Sequence, residues 1–252
     1  MTDKIALVTG GSRGLGENTA LHLAEKGVGV VVTYLNNAEA AAAVVNQIKS
    51  NGGSAAAIQL DVGKTTQFTS FAASFSDTLN KEWQRSSFDF LVNNAGTGIH
   101  SPIAETSEQQ FDAMFNVHTK GVFFLTQKLL PLLEDGGKIL NISSGLTRFS
   151  IEGYAAYAAA KAATEILTRY MALELGPRGI AVNSIAPGAI ETDFGGGAVR
   201  DNKDLNEYLA SNTAMGRVGL PKDIGGMIAS YLAGDNQWIT AQRIEASGGY
   251  SL

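Results

Sequence analysis

The chain contains no cysteine in its 252 residues. Disulfide scaffolds, thiolate zinc sites and cysteine nucleophiles are therefore excluded. Histidine is almost as scarce. His22, His100 and His118 lie far apart and form no H-E-x-x-H pattern, so no metal is expected, and only a site made of carboxylates alone stays open. Charged residues make up 17% of the chain and the formal net charge is −5. That balance lacks the excess of Lys and Arg with which proteins neutralise nucleic-acid phosphates. No apolar run approaches the roughly 20 residues needed to cross a bilayer. The first apolar run, Ile5 to Thr9, is too short for a secretory signal and follows the acidic Asp3. The expectation is a cytoplasmic protein that binds neither nucleic acid nor membrane.

What the chain does have is glycine, 29 residues of it, and 44% hydrophobic residues, enough for a sizeable core. Short apolar runs alternate with helical patterns. Ile5–Thr9, Val28–Tyr34, Ser54–Leu60, Phe88–Val92, Lys138–Ile142, Ile180–Ile185 and Gln242–Glu245 read as seven strands. Between them, helices are expected over Leu15–Lys26, Ala38–Ser50, Thr65–Trp83, Ser107–Leu133, Tyr154–Leu175 and Pro221–Leu232. Residues 189–217 show little periodicity. Repeated βα units with continuous apolar strands predict a single α/β domain over residues 1–252. Its sheet would be doubly wound and mostly parallel, with helices on both faces. Ligands of such sheets bind beyond the carboxyl ends of the strands.

The turn after the first strand reads Thr9-Gly10-Gly11-Ser12-Arg13-Gly14-Leu15-Gly16. Glycines there let backbone N–H groups approach an anion at a helix N-terminus, although an ordinary βα turn is also served by them. Gly10-x-Ser12-x-Gly14 also matches a hydrolase nucleophile elbow. That chemistry needs a histidine late in the chain, and the last one is His118. No lysine follows the glycines, so a P-loop is not supported.

The glycine spacing resembles the cofactor loop of the short-chain dehydrogenase/reductase family. Further matches follow in order: Asn93-Asn94-Ala95-Gly96, Asn116, Ser144, Tyr157-x-x-x-Lys161, and Pro187-Gly188 with Thr192. The resemblance covers essentially the whole chain and implies a Rossmann-type fold, a bound dinucleotide and a homotetramer. It assigns Gly10, Ser12, Arg13, Gly14, Leu15 and Gly16 to the cofactor, and Asp61 and Val62 to the adenine. Asp61 could equally cap the turn that follows it. Asn93, Ala95 and Gly96 are assigned to the ribose and adenine side, and Pro187, Gly188, Ile190 and Thr192 to the nicotinamide. One departure is Thr240-Ala241-Gln242, where family members often carry glycine in the middle.

Cofactor choice is readable after the second strand. NAD enzymes place a carboxylate there for the ribose 2′-hydroxyl. This chain has Tyr34, Leu35 and Asn36 instead, and Arg13 could pair with a 2′-phosphate. NADP(H) is therefore expected.

Tyr157 and Lys161 are one helical turn apart, and Ser144 ends the fifth strand. Reducing a ketone needs a hydride at carbon and a proton at oxygen. Lowering a phenol's pKa from about 10 by three units takes roughly 4 kcal/mol. One ammonium about 4 Å away supplies a similar amount at an effective dielectric near 20. The expected roles are Tyr157 as acid/base, Lys161 as its electrostatic tuner and Ser144 as donor to the carbonyl oxygen; the resemblance adds Asn116 as holder of a water in a proton relay to Lys161, and assigns Tyr157 and Lys161 to the cofactor as well, Lys161 at the nicotinamide ribose. Ser143 is the neighbouring candidate, but its spacing to Tyr157 favours Ser144. Leu146, Phe149, Ile151 and Phe194 point to a hydrophobic or aromatic ketone. The resulting expectation is an NADP(H)-dependent oxidoreductase acting between a carbonyl and a secondary alcohol. A 3-oxoacyl-thioester reductase is the alternative, and a non-catalytic dinucleotide sensor the more distant one.

Overall fold

The computed structural model describes residues 4–252, and Asp3, ahead of the first strand, lies outside them. Seven strands, Ile5–Val8 (β1), Gly29–Tyr34 (β2), Ala55–Gln59 (β3), Phe88–Asn93 (β4), Leu133–Ile142 (β5), Ala181–Pro187 (β6) and Arg243–Ala246 (β7), form one sheet in the order 3-2-1-4-5-6-7. Every pairing is parallel, so the sheet is more uniform than the mostly parallel one expected. Strand order reverses between β1 and β4, which opens a crevice at their carboxyl ends.

Side chains alternate between the two faces of each strand. Ala6, Val8, Val30 and Val32 pack on one side against Gly14–Glu25 (α1), Ala38–Ser50 (α2) and Pro221–Ala233 (α9). Ile5, Leu7, Val31 and Leu91 pack on the other against Phe68–Trp83 (α3), Gly121–Leu129 (α5) and Ala155–Leu175 (α6). In the first core, α1 and α9 touch closely because Gly225 sets its Cα against the Asn18 backbone.

The expected helix over Ser107–Leu133 is broken. Its start is as read: Ser107 Oγ accepts from Gln110 N, and Gln110 Oε1 accepts from Ser107 N, a reciprocal cap. Glu108–Phe115 (α4) then gives way to a π-helical stretch, Asn116–Lys120, before α5. Gly121 N–H donates to the Asn116 carbonyl five residues back. Tertiary contacts hold this stretch. Thr119 Oγ1 donates to Ala160 O at 3.0 Å, Thr164 Oγ1 donates to His118 O at 2.5 Å, and Gly121 abuts the Val62 carbonyl. The fifth strand begins at Leu133, earlier than expected, with its register shifting between Phe88 and Phe90 of its neighbour.

The aperiodic stretch after β6 contains two short helices, Ala198–Asp201 (α7) and Lys203–Ser211 (α8). Asn202 caps the second by accepting from Leu205 N at 3.0 Å. Ala241 sits at φ +61°, in the left-handed region where glycine is at ease.

Candidate active site

A cavity of about 690 Å³ opens at the carboxyl ends of β1 to β6. That volume falls in the range of small-molecule sites. Most of the residues expected at a site line it. From the first turn come Gly10, Ser12, Arg13, Gly14 and Leu15; from the end of β2, Tyr34, Leu35 and Asn36. Asp61 and Val62 follow β3, and Ala95 and Gly96 follow β4. Ser144, Tyr157 and Lys161 occupy one wall, and Pro187, Gly188, Ile190 and Thr192 another.

Three expected residues do not line it. Gly16 lies inside α1, where a side chain would strike the Gly10 carbonyl, so this glycine serves helix–strand approach. Asn93 is buried in the sheet and donates to Thr126 Oγ1 and Asn141 Oδ1. Its neighbour Asn94 is the one at the cavity. Asn116 is half-buried within the π-helical stretch, and His118 stands at the cavity in its place.

The glycine turn is tied to the end of β4. Thr9 Oγ1 accepts from both Asn94 N and Ala95 N at 2.9 Å. Asn94 Nδ2 donates to Thr9 O at 2.8 Å and to Gly10 O at 3.2 Å. Gly10 adopts φ +65°, and a Cβ there would lie 2.8 Å from Ala95 Cα. Gly14, at φ +59°, opens α1 and leaves its Cβ direction free of close contact, with Thr192 nearest at 3.6 Å. A helix N-terminus thus faces the cavity behind a bare backbone, which fits the pyrophosphate of a dinucleotide.

At the end of β2 no carboxylate is present, and Asn37 is committed to capping α2 by accepting from Ala40 N. Asp61 caps its own turn by accepting from Gly63 N at 2.9 Å while also lining the cavity. Arg13 is largely exposed and leans toward Asp193, 3.8 Å away across the cavity mouth. Asp193 also binds Arg200.

Ser144, Tyr157 and Lys161 are brought together. The Ser144 hydroxyl accepts from Leu146 N and stands near enough to the Tyr157 hydroxyl to lower its pKa. Ser143 is committed elsewhere, donating to Glu165 Oε1 at 2.5 Å. Lys161 donates to Ile142 O at 2.7 Å, with its Nζ 5.7 Å from the Tyr157 ring centre. The electrostatics depart from expectation. Burial pushes the Tyr157 hydroxyl up to about 12, the Ser144 bond opposes this, and Tyr154 adds to it. Burial also pulls Lys161 down to about 7. Desolvation of the phenol outweighs the lowering influence of Ser144, the one group that opposes it.

The far end of the cavity is apolar. Leu146, Phe149, Ile151 and Phe194 line it as anticipated, joined by Val199, Leu205, Leu209 and Tyr250, which carry no sequence signal of their own. Phe194 tilts over Tyr157 with ring centres 5.5 Å apart, and Phe149 packs on Tyr250 at 4.7 Å. Arg148 is taken by Glu245 and by the Tyr250 and Ser251 carbonyls, and Arg200 by Asp193 and Asp201.

A parallel sheet with a glycine turn at its switch point and a Ser–Tyr–Lys group beside it defines a dinucleotide-type oxidoreductase. A sequence profile described as enoyl-(acyl carrier protein) reductase matches residues 10–251. The chain belongs to the short-chain dehydrogenase/reductase family. The hydroxynaphthalene reductase-like protein of Metarhizium brunneum is 35% identical, over 99% of this chain and 95% of that protein. The probable tetrahydroxynaphthalene reductase of Zymoseptoria tritici is 34% identical, over 97% and 93%. Among solved structures, the angucycline C-6 ketoreductase LanV with bound NADP gives a TM-score of 0.94 at 35% identity, covering 99% of this chain and 96% of that one. The reductase LugOII, described as promiscuous and as catalysing keto-reduction at C1 in lugdunomycin biosynthesis, gives 0.94 at 39% identity, covering 100% and 99%.

Proposed function

We propose that this protein is an NADP(H)-dependent ketoreductase acting on flat, polycyclic aromatic ketones. NADPH, when bound, supplies the hydride to the carbonyl carbon. The glycine turn and the α1 N-terminus would hold its pyrophosphate. Arg13 and the carboxylate-free end of β2 would accept its 2′-phosphate. The NADP-bound LanV supports this choice.

The Tyr157–Ser144 pair carries the reading. A phenol held near 12 is protonated at neutral pH, so it stands ready as an acid. Ser144 would donate to the substrate oxygen and Tyr157 would give it a proton. Lys161 would stabilise the phenolate that remains, in the tuner's part expected of it. Phe194, Phe149 and Tyr250 offer aromatic faces and edges for a planar substrate, and stacking on them favours flat rings. The aromatic substrates named for the naphthalene reductases and LanV agree.

A thioester substrate is the second reading, favoured by the description of the matching family profile. The engaged state of Arg148 and Arg200 leaves both less free to meet an acidic carrier protein. A cytoplasmic homotetramer is proposed as the working form. The exposed Phe111, Phe124, Ile166, Tyr170 and Leu173 on α4 to α6 supply apolar surface for subunit contacts.

The test assays naphthol-type ketones and 3-oxoacyl thioesters with NADPH, using Tyr157→Phe as control. Turnover of the ketones, lost by about 10²–10⁴-fold in Tyr157→Phe while NADPH still binds, upholds the reading. Thioester turnover alone replaces it with the second. NADPH binding without any turnover makes the protein a sensor.

A further inference from the structure

Tyr157, Lys161 and Glu165 follow one another at four-residue spacing along one side of α6. The first two line the cavity. Glu165 stands behind its wall and holds the backbone that carries Ser144. The carboxylate oxygen Oε1 accepts from Ser143 Oγ at 2.5 Å, from Thr147 Oγ1 at 2.8 Å and from Arg243 Nε at 2.8 Å. The two hydroxyls flank Ser144, one residue before it and three after. A further tie comes from the same helix, where Lys161 donates to the Ile142 carbonyl at 2.7 Å. Helix α6 thus grips the chain on both sides of Ser144 while carrying Tyr157 about two turns before Glu165.

The carboxylate is itself anchored. Arg243, on β7, gives Nε to Glu165 and Nη1 to Glu245 Oε2 at 2.9 Å. Its Nη2 reaches Thr147 Oγ1 at 3.2 Å and the Ser144 carbonyl at 3.4 Å. The side chains of Glu165 and Arg243 are 18% and 25% exposed, so the pair is sheltered from the screening that weakens surface ion pairs. Hydrogen bonds to a charged acceptor are also roughly twice as strong as neutral ones. The Thr147 hydroxyl has one proton and two acceptors in reach, Glu165 and the Ser144 carbonyl at 2.9 Å. The carboxylate is the stronger acceptor, so Thr147 serves Glu165 and leaves the Ser144 carbonyl to Arg243. Ser144 Oγ accepts from Leu146 N at 3.2 Å, which leaves its own proton for a substrate oxygen. A donor to developing charge acts best when it is fixed before the charge appears.

We propose that Glu165 is a positioning residue for the reduction: by holding Ser143 and Thr147 it fixes the Ser144 hydroxyl beside Tyr157, and Arg243 keeps the carboxylate in place. Glu165 acts through Ser144 and not on the substrate. Its part in catalysis rests on the ketoreductase reading. The hold on residues 143–147 does not.

Glu165→Ala removes the acceptor, and Glu165→Gln keeps a carbonyl oxygen without the charge. Arg243 retains Glu245 in both, so neither variant leaves it unpaired. Each is made in the wild type and in Ser144→Ala, and steady-state rates are measured with NADPH and a naphthol-type ketone. Hydrogen exchange over residues 143–148 is followed by mass spectrometry in the same proteins. With Ser144 present, Glu165→Ala should lower kcat by about ten-fold, less than the roughly 10²–10³-fold typical of losing a preorganised donor outright. KM should stay within about three-fold, and Glu165→Gln should recover kcat to within about three-fold of the wild type. In the Ser144→Ala background, Glu165→Ala should cost less than about two-fold, because the group it positions is gone. Exchange over 143–148 should quicken in Glu165→Ala while NADPH still binds. Equal losses in both backgrounds, or no loss in either, overturn the proposal and leave Glu165 a residue of the fold alone. So does a Glu165→Gln variant as slow as Glu165→Ala. A wild-type protein that reduces no ketone overturns the ketoreductase reading instead. Faster exchange in Glu165→Ala then upholds the hold on the Ser144 segment, and unchanged exchange overturns that as well.

Discussion

The Lys161 ammonium donates to the Ile142 carbonyl and stands 5.7 Å from the centre of the Tyr157 ring, yet burial rather than attraction sets the protonation of both. Lys161 is lowered to about 7 from an ordinary value near 10.5. Between those values the unfolded chain binds a proton that the folded chain does not, so stability rises with pH across that window. Lys161→Met removes the effect. The melting temperature of the variant, relative to the wild type, should be highest near pH 6 and decline steadily toward pH 10. Tyr157 acts above that range. Its folded value, about 12, exceeds the ordinary 10, so the folded state holds the extra proton and stability falls as pH rises past 10. Tyr157→Phe should flatten that loss. Melting curves from pH 6 to 11 check both, and parallel curves for wild type and variants would contradict them.

Cofactor preference should turn on two positions. Arg13→Glu places a carboxylate where the 2′-phosphate is proposed to bind, and should raise KM for NADPH by about ten-fold or more while changing KM for NADH little. Leu35→Asp should improve NADH use by supplying a ribose partner. The Arg13–Asp193 pair is exposed and widely spaced, so Asp193→Asn should alter NADPH affinity by less than about five-fold. Initial rates with both cofactors measure all three.

Phe194 lies over Tyr157 and is part-exposed at the cavity mouth. Phe194→Ala should raise KM for a fused-ring ketone by about two- to twelve-fold, in line with an aromatic contact of roughly 0.5–1.5 kcal/mol. A small aliphatic ketone should be unaffected. Equal losses for both substrates would show that the ring supports the fold of the loop instead.

Ala241 occupies φ +61°, and its N–H donates to the Val182 carbonyl at 2.8 Å. Ala241→Gly relieves a strain of about 1–2 kcal/mol and loses some of that to the greater freedom of glycine when unfolded. A net gain of about 0.5–1 kcal/mol is expected, seen as a rise of about 1–4 °C in melting temperature.

The strands were legible because each is a short apolar run stopped by glycine or a polar turn, and all seven lie within a few residues of their expected places. Tyr157 and Lys161 were legible because helical spacing puts them on one face of a helix that follows the fifth strand, with Ser144 at that strand's carboxyl end. Which polar residues reach the cavity wall was less legible. Asn93 and Asn94 are chemically alike, and only the pairing of β4 with Asn141 decides which turns into the sheet. His118 lines the cavity and Asn116 does not, within a π-helical stretch whose supports, Val62, Ala160 and Thr164, are distant in sequence. The burial that raises Tyr157 depends on walls contributed by several elements, which spacing within α6 does not reveal.

The double acceptance at Thr9 Oγ1 and the contact of Gly10 on Ala95 couple the first βα turn to the fourth. For protein engineering this makes the two turns one replaceable part. A glycine loop grafted from another enzyme to switch cofactor would arrive without its matching buttress. Transplanting residues 9–16 together with 93–96 preserves the fit that either segment alone would lose.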